Sequence, residues 1–162
     1  MSKTLYVGFR GRGFWALDVV SGIFLKHLID AAALCVAARR EPWLSVAVEH
    51  WRFNAVVCDC GFFLDDDWSG EQVQAVRELA TAACNMLSNR SAISAEEMSS
   101  WPLLDGTGVS PRGCASIAME SVIRLGQAVI QLLDGSLPEA PPGAWWFFGA
   151  EDYPRTVAKQ ES

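Results

Sequence analysis

This 162-residue sequence lacks long apolar runs. The most apolar region, residues 13–38, contains three charged residues, and its longest charge-free stretch covers only residues 31–38. A membrane-spanning helix needs about 20 apolar residues without such interruptions. A secretory signal also needs an unbroken apolar core, which Arg10, Arg12 and Asp18 interrupt. We therefore expect no membrane span and no secretory leader, and we predict a cytoplasmic protein.

Basic residues are also few, because 13 Lys and Arg stand against 19 Asp and Glu, for a formal charge of −6. A negative surface repels phosphate backbones, so we expect no nucleic-acid binding through a basic face. The acidic excess lies in residues 53–162 and is densest at Asp65, Asp66 and Asp67. Such a negative field speeds the encounter with a basic partner. The alternative is that the acidic residues only keep the protein soluble.

The cysteines do not form a metal-binding or disulfide pattern. Five are present, at irregular spacing, namely Cys35, Cys58, Cys60, Cys84 and Cys114. An odd number in a cytoplasmic protein predicts reduced thiols. Cys58, Asp59 and Cys60 lie near His50 in sequence, but structural zinc usually takes two ligand pairs, and no second pair exists. We expect no metal.

Catalytic motifs are absent from the sequence as well. The pattern Gly-Arg-Gly-Phe-Trp-Ala at residues 11–16 matches a dinucleotide fingerprint only superficially, because a helix is predicted where the second strand should end in an acid. The only bases that titrate near neutral pH are His27 and His50, and neither stands in a recognisable nucleophile motif. We predict a protein that is not an enzyme and that carries no cofactor.

Helical spacing of apolar residues predicts a mainly α fold. We expect a compact bundle of about four long helices with one short helix. A minor β element comes from an N-terminal strand over residues 4–9 and from the aromatic C-terminal segment, which we expect to pair with each other. Residues 1–150 form a single helical domain in this prediction, and residues 151–162 form a flexible tail.

Local signals place the ends of these helices. The first helix is predicted over residues 14–38, and residues 45–57 suit either a helix, which we favour, or a strand. Ser69 and Gln72 have the spacing of a capping box, and Ser94 begins the short helix. The last long helix is expected to begin at Ser110 with Pro111 in its first turn, and to end at Gly135.

Tryptophan is abundant, with seven residues, which is about three times the usual share. Trp68 and Trp101 lie at predicted junctions between loops and helices, where an amphipathic ring is often partly exposed. Rings flanked by carboxylates are good hot spots against a basic partner. The predicted partner-binding residues are Asp59, Asp65, Asp66, Asp67, Trp68, Glu71, Glu96, Glu97 and Trp101.

Two parts of the chain are similar to a known class of proteins, namely residues 65–72 and the terminal sequence LLDGSLPEAPPGAWWFFG. The chain resembles the small, acidic, tryptophan-rich immunity proteins of bacterial polymorphic-toxin and contact-dependent growth-inhibition systems. That resemblance implies a protein that binds the toxic domain of its own system, often a basic nuclease, and blocks its active site or substrate path. It transfers no functional residue, since these families share no diagnostic motif.

Two other classes of function remain open at this stage. One is an enzyme or small-ligand binder with a pocket between the long helices, lined by Trp51, His50, Cys58 or Arg52. The other is a scaffold subunit whose exposed apolar face pairs with copies of itself. The sequence does not fix the oligomeric state.

Overall fold

The computed structural model describes residues 3–35, 41–57, 61–150 and 155–160. These residues form helices and strands in the order β1 Thr4–Phe9, β2 Arg12–Leu17, α1 Asp18–Leu34, α2 Pro42–Val56, α3 Gly70–Leu87, β3 Ala92–Ser94, α4 Ala95–Ser100, β4 Ser116–Ala118, α5 Met119–Asp134, β5 Ala144–Phe148 and β6 Arg155–Ala158.

A mixed four-stranded sheet has the order β1-β2-β5-β6. Strands β1 and β2 form an antiparallel hairpin, in which Phe9 pairs with Arg12. Arg10 and Gly11 make the turn with φ angles of 50° and 80°, which is the left-handed geometry of a two-residue hairpin turn. Strand β5 runs parallel to β2, and β6 runs antiparallel to β5.

The helices form the other layer of the fold. The central helix α1 packs against α2, α3 and α5, while α5 also packs against the sheet strands β1, β2 and β5. Gly126 permits the close packing of α5, since a Cβ there would lie 2.5 Å from Cys84 Sγ and 2.6 Å from a ring carbon of Phe24. The apolar core therefore lies around α1, between the sheet and the outer helices.

The predicted mainly α bundle is wrong, since the chain is a mixed α and β fold. The first predicted helix in fact begins at Asp18, and residues 14–17 belong to β2. Phe14 and Ala16 are buried, whereas Trp15 between them is partly exposed, which is the period-two alternation of a strand. Pairing with β1 and β5 stabilises this strand, and β5 lies far along the chain.

Two further details of the predicted fold are wrong. The last long helix begins at Met119 rather than Ser110, because Ser116–Ala118 form β4 and pair with β3. The aromatic C-terminal segment does form a strand, but it pairs with β2 and not with residues 4–9. Within the predicted tail, Arg155–Ala158 form β6.

Predictions that depended on neighbouring residues are confirmed. Residues 45–56 are helical, within α2. Ser69 and Gln72 make the full capping box of α3, and the Ser94 side chain caps α4. Gly135 ends α5 with a φ of 77°. No described helix has the length and apolar content that crossing a bilayer requires.

Candidate partner-binding site

The acidic segment, residues 65–71, is attached to the β1–β2 hairpin by Arg10. The backbone N–H of Arg10 donates to Asp66 Oδ1 at 2.8 Å, and its Nε donates to the Asp66 carbonyl at 3.1 Å. Its Nη2 donates to the Trp68 carbonyl at 2.6 Å. Asp65 Oδ1 accepts from the Asp67 N–H at 2.9 Å, which closes a turn within the segment. The segment is thus held in one conformation by four hydrogen bonds.

Most of the predicted carboxylates of this segment face solvent. Asp66, Asp67 and Glu71 are exposed, and Asp65 is half-buried. Glu71 lies in the first turn of α3, where the positive end of the helix dipole favours a negative charge. Asp59, which the sequence analysis placed in the same site, lies outside the described residues.

Trp68 does not present its ring to solvent, so the expected exposure is wrong. Its side chain is only 5% exposed and lies between Trp43 and Phe63, with ring centroids 5.8 Å away in each case. Trp43 belongs to α2 and Phe63 to the segment before the acidic residues. The ring therefore attaches the acidic segment to α2 from the inside.

The second predicted group, Glu96, Glu97 and Trp101, belongs to a separate cluster. Trp101 is 8% exposed, its ring meets the His27 ring edge-on, and Lys26 Nζ lies 4.8 Å from the Trp101 ring centre. Both carboxylate oxygens of Glu97 accept from the Arg90 guanidinium, which lowers the pKa of Glu97. Only Glu96 remains exposed, so this group does not form the predicted ring-and-carboxylate surface.

His27 is buried in the same cluster. Its Nδ1 lies 2.8 Å from the Ile23 carbonyl, so that nitrogen donates and carries the proton of the neutral ring. Burial is the main cause that lowers the pKa of the imidazole, and the Lys26 charge acts in the same direction. The hydrogen bond to Ile23 and the Asp30 charge oppose this shift.

We expect His27 to make folding stability depend on pH. An unfolded chain binds a proton at His27 near pH 6.5. Because the folded pKa is lower, stability is complete above about pH 6.5 and declines as the pH falls toward the folded pKa. His27→Gln should reduce the change in the free energy of unfolding between pH 7.5 and 5.5, measured by urea unfolding. His50→Gln, at an exposed position, should retain the wild-type slope, and equal slopes for all three proteins would contradict this assignment.

Beside the acidic segment lies a groove that the sequence analysis did not identify, which we call the β1 groove. It lies between β1 and residues 61–66, has a volume of about 710 Å³, and includes Asp65 and Asp66 in its lining. Residues 61–64 begin with Gly61, whose φ of 75° fits a turn, and carry no capping signal. Their burial alternates along the chain, but this alternation is visible only in the structure and not in the sequence. Arg12 also lines the groove, but its guanidinium donates to the carbonyls of Gly135 and Leu137.

Of the described residues proposed for a pocket between the helices, His50 and Arg52 line two different hollows. Trp51 is buried and donates from Nε1 to the Phe63 carbonyl at 2.9 Å. The His50 ring is stacked on the Phe63 ring at 4.2 Å, and Arg52 donates to the Leu103 carbonyl. Cys58 lies outside the described residues. A different hollow of about 440 Å³ lies between α1, α2 and α3 and is lined mainly by apolar side chains such as Leu34, Trp43 and Met86.

The described thiols are free, at Cys35, Cys84 and Cys114. Burial raises the pKa of the Cys84 thiol to about 11, so it stays protonated at neutral pH. Among the described residues, no three side chains of the types that bind metals come together. Cys58 and Cys60 fall outside that part of the chain.

Comparison with known proteins gives no assignment, since no protein-family model, curated protein or solved structure matches the chain.

Proposed function

We propose that this chain is an immunity-type binding protein that neutralises the toxic domain of its own system by covering the active site or substrate path. The target that suits it is a basic nuclease domain. The observation that carries the proposal is the acidic segment, which Arg10 fixes to the hairpin and which exposes Asp66, Asp67 and Glu71 beside the β1 groove.

Electrostatics supports a basic partner. A nuclease surface must attract phosphates, so it also attracts carboxylates. The chain carries a formal charge of −6, and this segment is its densest acidic point. Because the segment is already ordered by hydrogen bonds, binding would cost less conformational entropy than the ordering of a free loop.

Charge reversal at the outer carboxylates tests the proposal. Asp67→Lys and Glu71→Lys should each slow association with the proposed toxin domain by about tenfold at low salt, since exposed charges act mainly on the association rate. Asp66 is avoided because its side chain accepts from the Arg10 backbone. Association rates from stopped-flow fluorescence at two salt concentrations provide the measurement.

Glu139→Lys provides the matched control. It makes the same change in net charge at an exposed glutamate outside the acidic segment and the groove lining. We expect it to slow association by less than about twofold. If the three variants slow association equally, or if the toxin domain does not bind the wild-type protein, the proposed function is wrong.

A further inference from the structure

The hollow between α1, α2 and α3, which we call the helix hollow, has a volume of about 440 Å³. This volume falls in the range of about 300–1,000 Å³ that is typical of sites for small organic ligands, and such sites often lie between helices. Most of the described residues that line it are apolar, and two of them are charged. The helix hollow therefore has the size and the interior of a small-molecule site.

Short side chains on α3 leave room for the helix hollow. Ala75 and Ala82 are seven residues apart, so they lie two turns apart on the same face of the helix. Both line the hollow, where longer side chains would fill part of the space. Leu34 of α1 and Trp43 of α2 line the same space, and Leu34 is 72% exposed. A molecule in the hollow would therefore cover apolar surface that now faces water.

The two charged residues of the helix hollow are both glutamates. Glu41 directly precedes α2, Glu78 lies on α3, and both are exposed. Within the described part of the chain, the Glu41 side chain makes no hydrogen bond or ion pair. Glu78 Oε1 accepts from the neutral side chain of Gln74, at 3.1 Å from Nε2. Neither negative charge is therefore compensated by a cation of the described residues.

No basic residue is found among the described residues that line the helix hollow. Arg77, the basic residue of α3, is directed toward α5, because its Nη2 lies 3.8 Å from Asp134 Oδ2. Arg39 and Arg40, between α1 and α2, lie outside the described residues. The described lining thus combines an apolar interior with two uncompensated carboxylates, which favours a ligand that is apolar and positively charged.

We propose that the helix hollow binds a small amine, whose apolar group fills the interior and whose protonated amino group pairs with Glu41 and Glu78. Burial of the apolar group would supply most of the affinity, and the carboxylates would select the positive charge. A neutral or anionic molecule of the same shape would bind more weakly. This inference does not rest on the proposed function, since no residue of the acidic segment lines the hollow.

Three ligands of similar shape but different charge test the proposal. They are phenethylamine, which is protonated at neutral pH, neutral phenethyl alcohol, and the anion hydrocinnamate. We expect phenethylamine to shift the indole N–H NMR signal of Trp43 with a dissociation constant of about 1 mM, as is typical of so small a ligand. The alcohol should bind at least about threefold more weakly, and the anion more weakly still, since exposed ion pairs contribute modestly.

Substitution of the two glutamates tests whether they select the charge. Glu41→Gln and Glu78→Gln should each reduce the preference for phenethylamine over phenethyl alcohol about twofold, and together they should abolish it. Binding of the alcohol should not change. Glu96→Gln is the matched control, because Glu96 is an exposed glutamate outside the lining of the hollow. It should retain the wild-type preference.

A substitution that fills the helix hollow gives an independent measurement. Ala82→Leu places a larger side chain in the lining and should weaken binding of phenethylamine at least about fivefold. Thr81→Leu is the matched control, since Thr81 is the exposed neighbour on α3 and does not line the hollow. It should bind phenethylamine as the wild type does. Leucine is a good helix former, so we expect both variants to retain α3.

Several outcomes would overturn the inference. These are equal binding of the three ligands, NMR shifts confined to residues outside the lining, and wild-type affinity in Ala82→Leu. If Ala82→Leu does not fold, the glutamine variants at the exposed positions decide. A toxin domain that shifts the Trp43 signal when phenethylamine does not would assign the hollow to the partner protein instead. None of these results bears on the charge-reversal variants at Asp67 and Glu71, which lie outside the hollow.

Discussion

Replacing Trp68 by alanine should lower the free energy of unfolding by about 3–5 kcal/mol, as is typical for a buried aromatic side chain. The ring is 5% exposed and contacts both Trp43 and Phe63, so its removal leaves a cavity between the acidic segment and α2. Urea unfolding followed by far-ultraviolet circular dichroism measures the change. Trp68→Ala should also loosen the acidic segment, because the lost ring is what packs this segment against Trp43 and Phe63.

Phe53→Ala is the comparison for this experiment. Phe53 is an aromatic residue of α2 whose side chain is 42% exposed, so its removal should cost less than about 1 kcal/mol. An equal loss of stability in both variants would show that Trp68 is not a core residue. If the toxin domain dissociates faster from Trp68→Ala, the rate must be measured under conditions in which the variant is fully folded. Only then does the faster dissociation report a lost binding contact and not unfolding.

Replacing Arg112 by methionine should lower the free energy of unfolding by about 3 kcal/mol, because it leaves a buried carboxylate without its ion-pair partner. Arg112 Nε lies 3.1 Å from Asp18 Oδ2, and the Asp18 side chain is only 1% exposed at the start of α1. Asp18 Oδ1 accepts from the Val19 N–H, which does not replace the lost positive charge. Urea unfolding at neutral pH measures this change.

Arg124→Met is the matched control for the ion pair. Arg124 pairs with Glu120 at a spacing of four residues on α5, and that glutamate is well exposed, so the pair should contribute less than about 0.5 kcal/mol. The double variant Asp18→Asn/Arg112→Met removes the uncompensated charge and should recover part of the loss. If Arg112→Met is as stable as Arg124→Met, the buried ion pair contributes nothing to folding.

The features that were predictable from sequence depend on residues close together in the chain. The capping box of Ser69 and Gln72 and the glycine that ends α5 each involve only a few neighbouring residues. The strand β2 could not be distinguished from the start of α1 in this way. Over residues 14–17 the apolar side chains fit both a helix face and a strand, and the decision comes from pairing with β5, near the other end of the chain.

In the candidate site, too, some features were predictable from the sequence and others depend on residues that are distant in the chain. Net charge identified the exposed carboxylates of the acidic segment, because charged groups stay in water wherever the chain runs. The burial of Trp68 depends on Trp43 from α2, and the β1 groove depends on how residues 61–64 lie against β1. Neither the Trp68–Trp43 contact nor the position of residues 61–64 against β1 produces a periodic pattern within a short stretch of sequence.

The parallel pairing of β5 with β2 has a consequence for synthesis in the cell. The β1–β2 hairpin gains its second neighbouring strand only after β5 has been synthesised, because β2 pairs with Phe147 and Phe148. Contacts of such large sequence separation slow folding, and until they form, the inner edge of β2 and its aromatic side chains are open to association with other nascent chains.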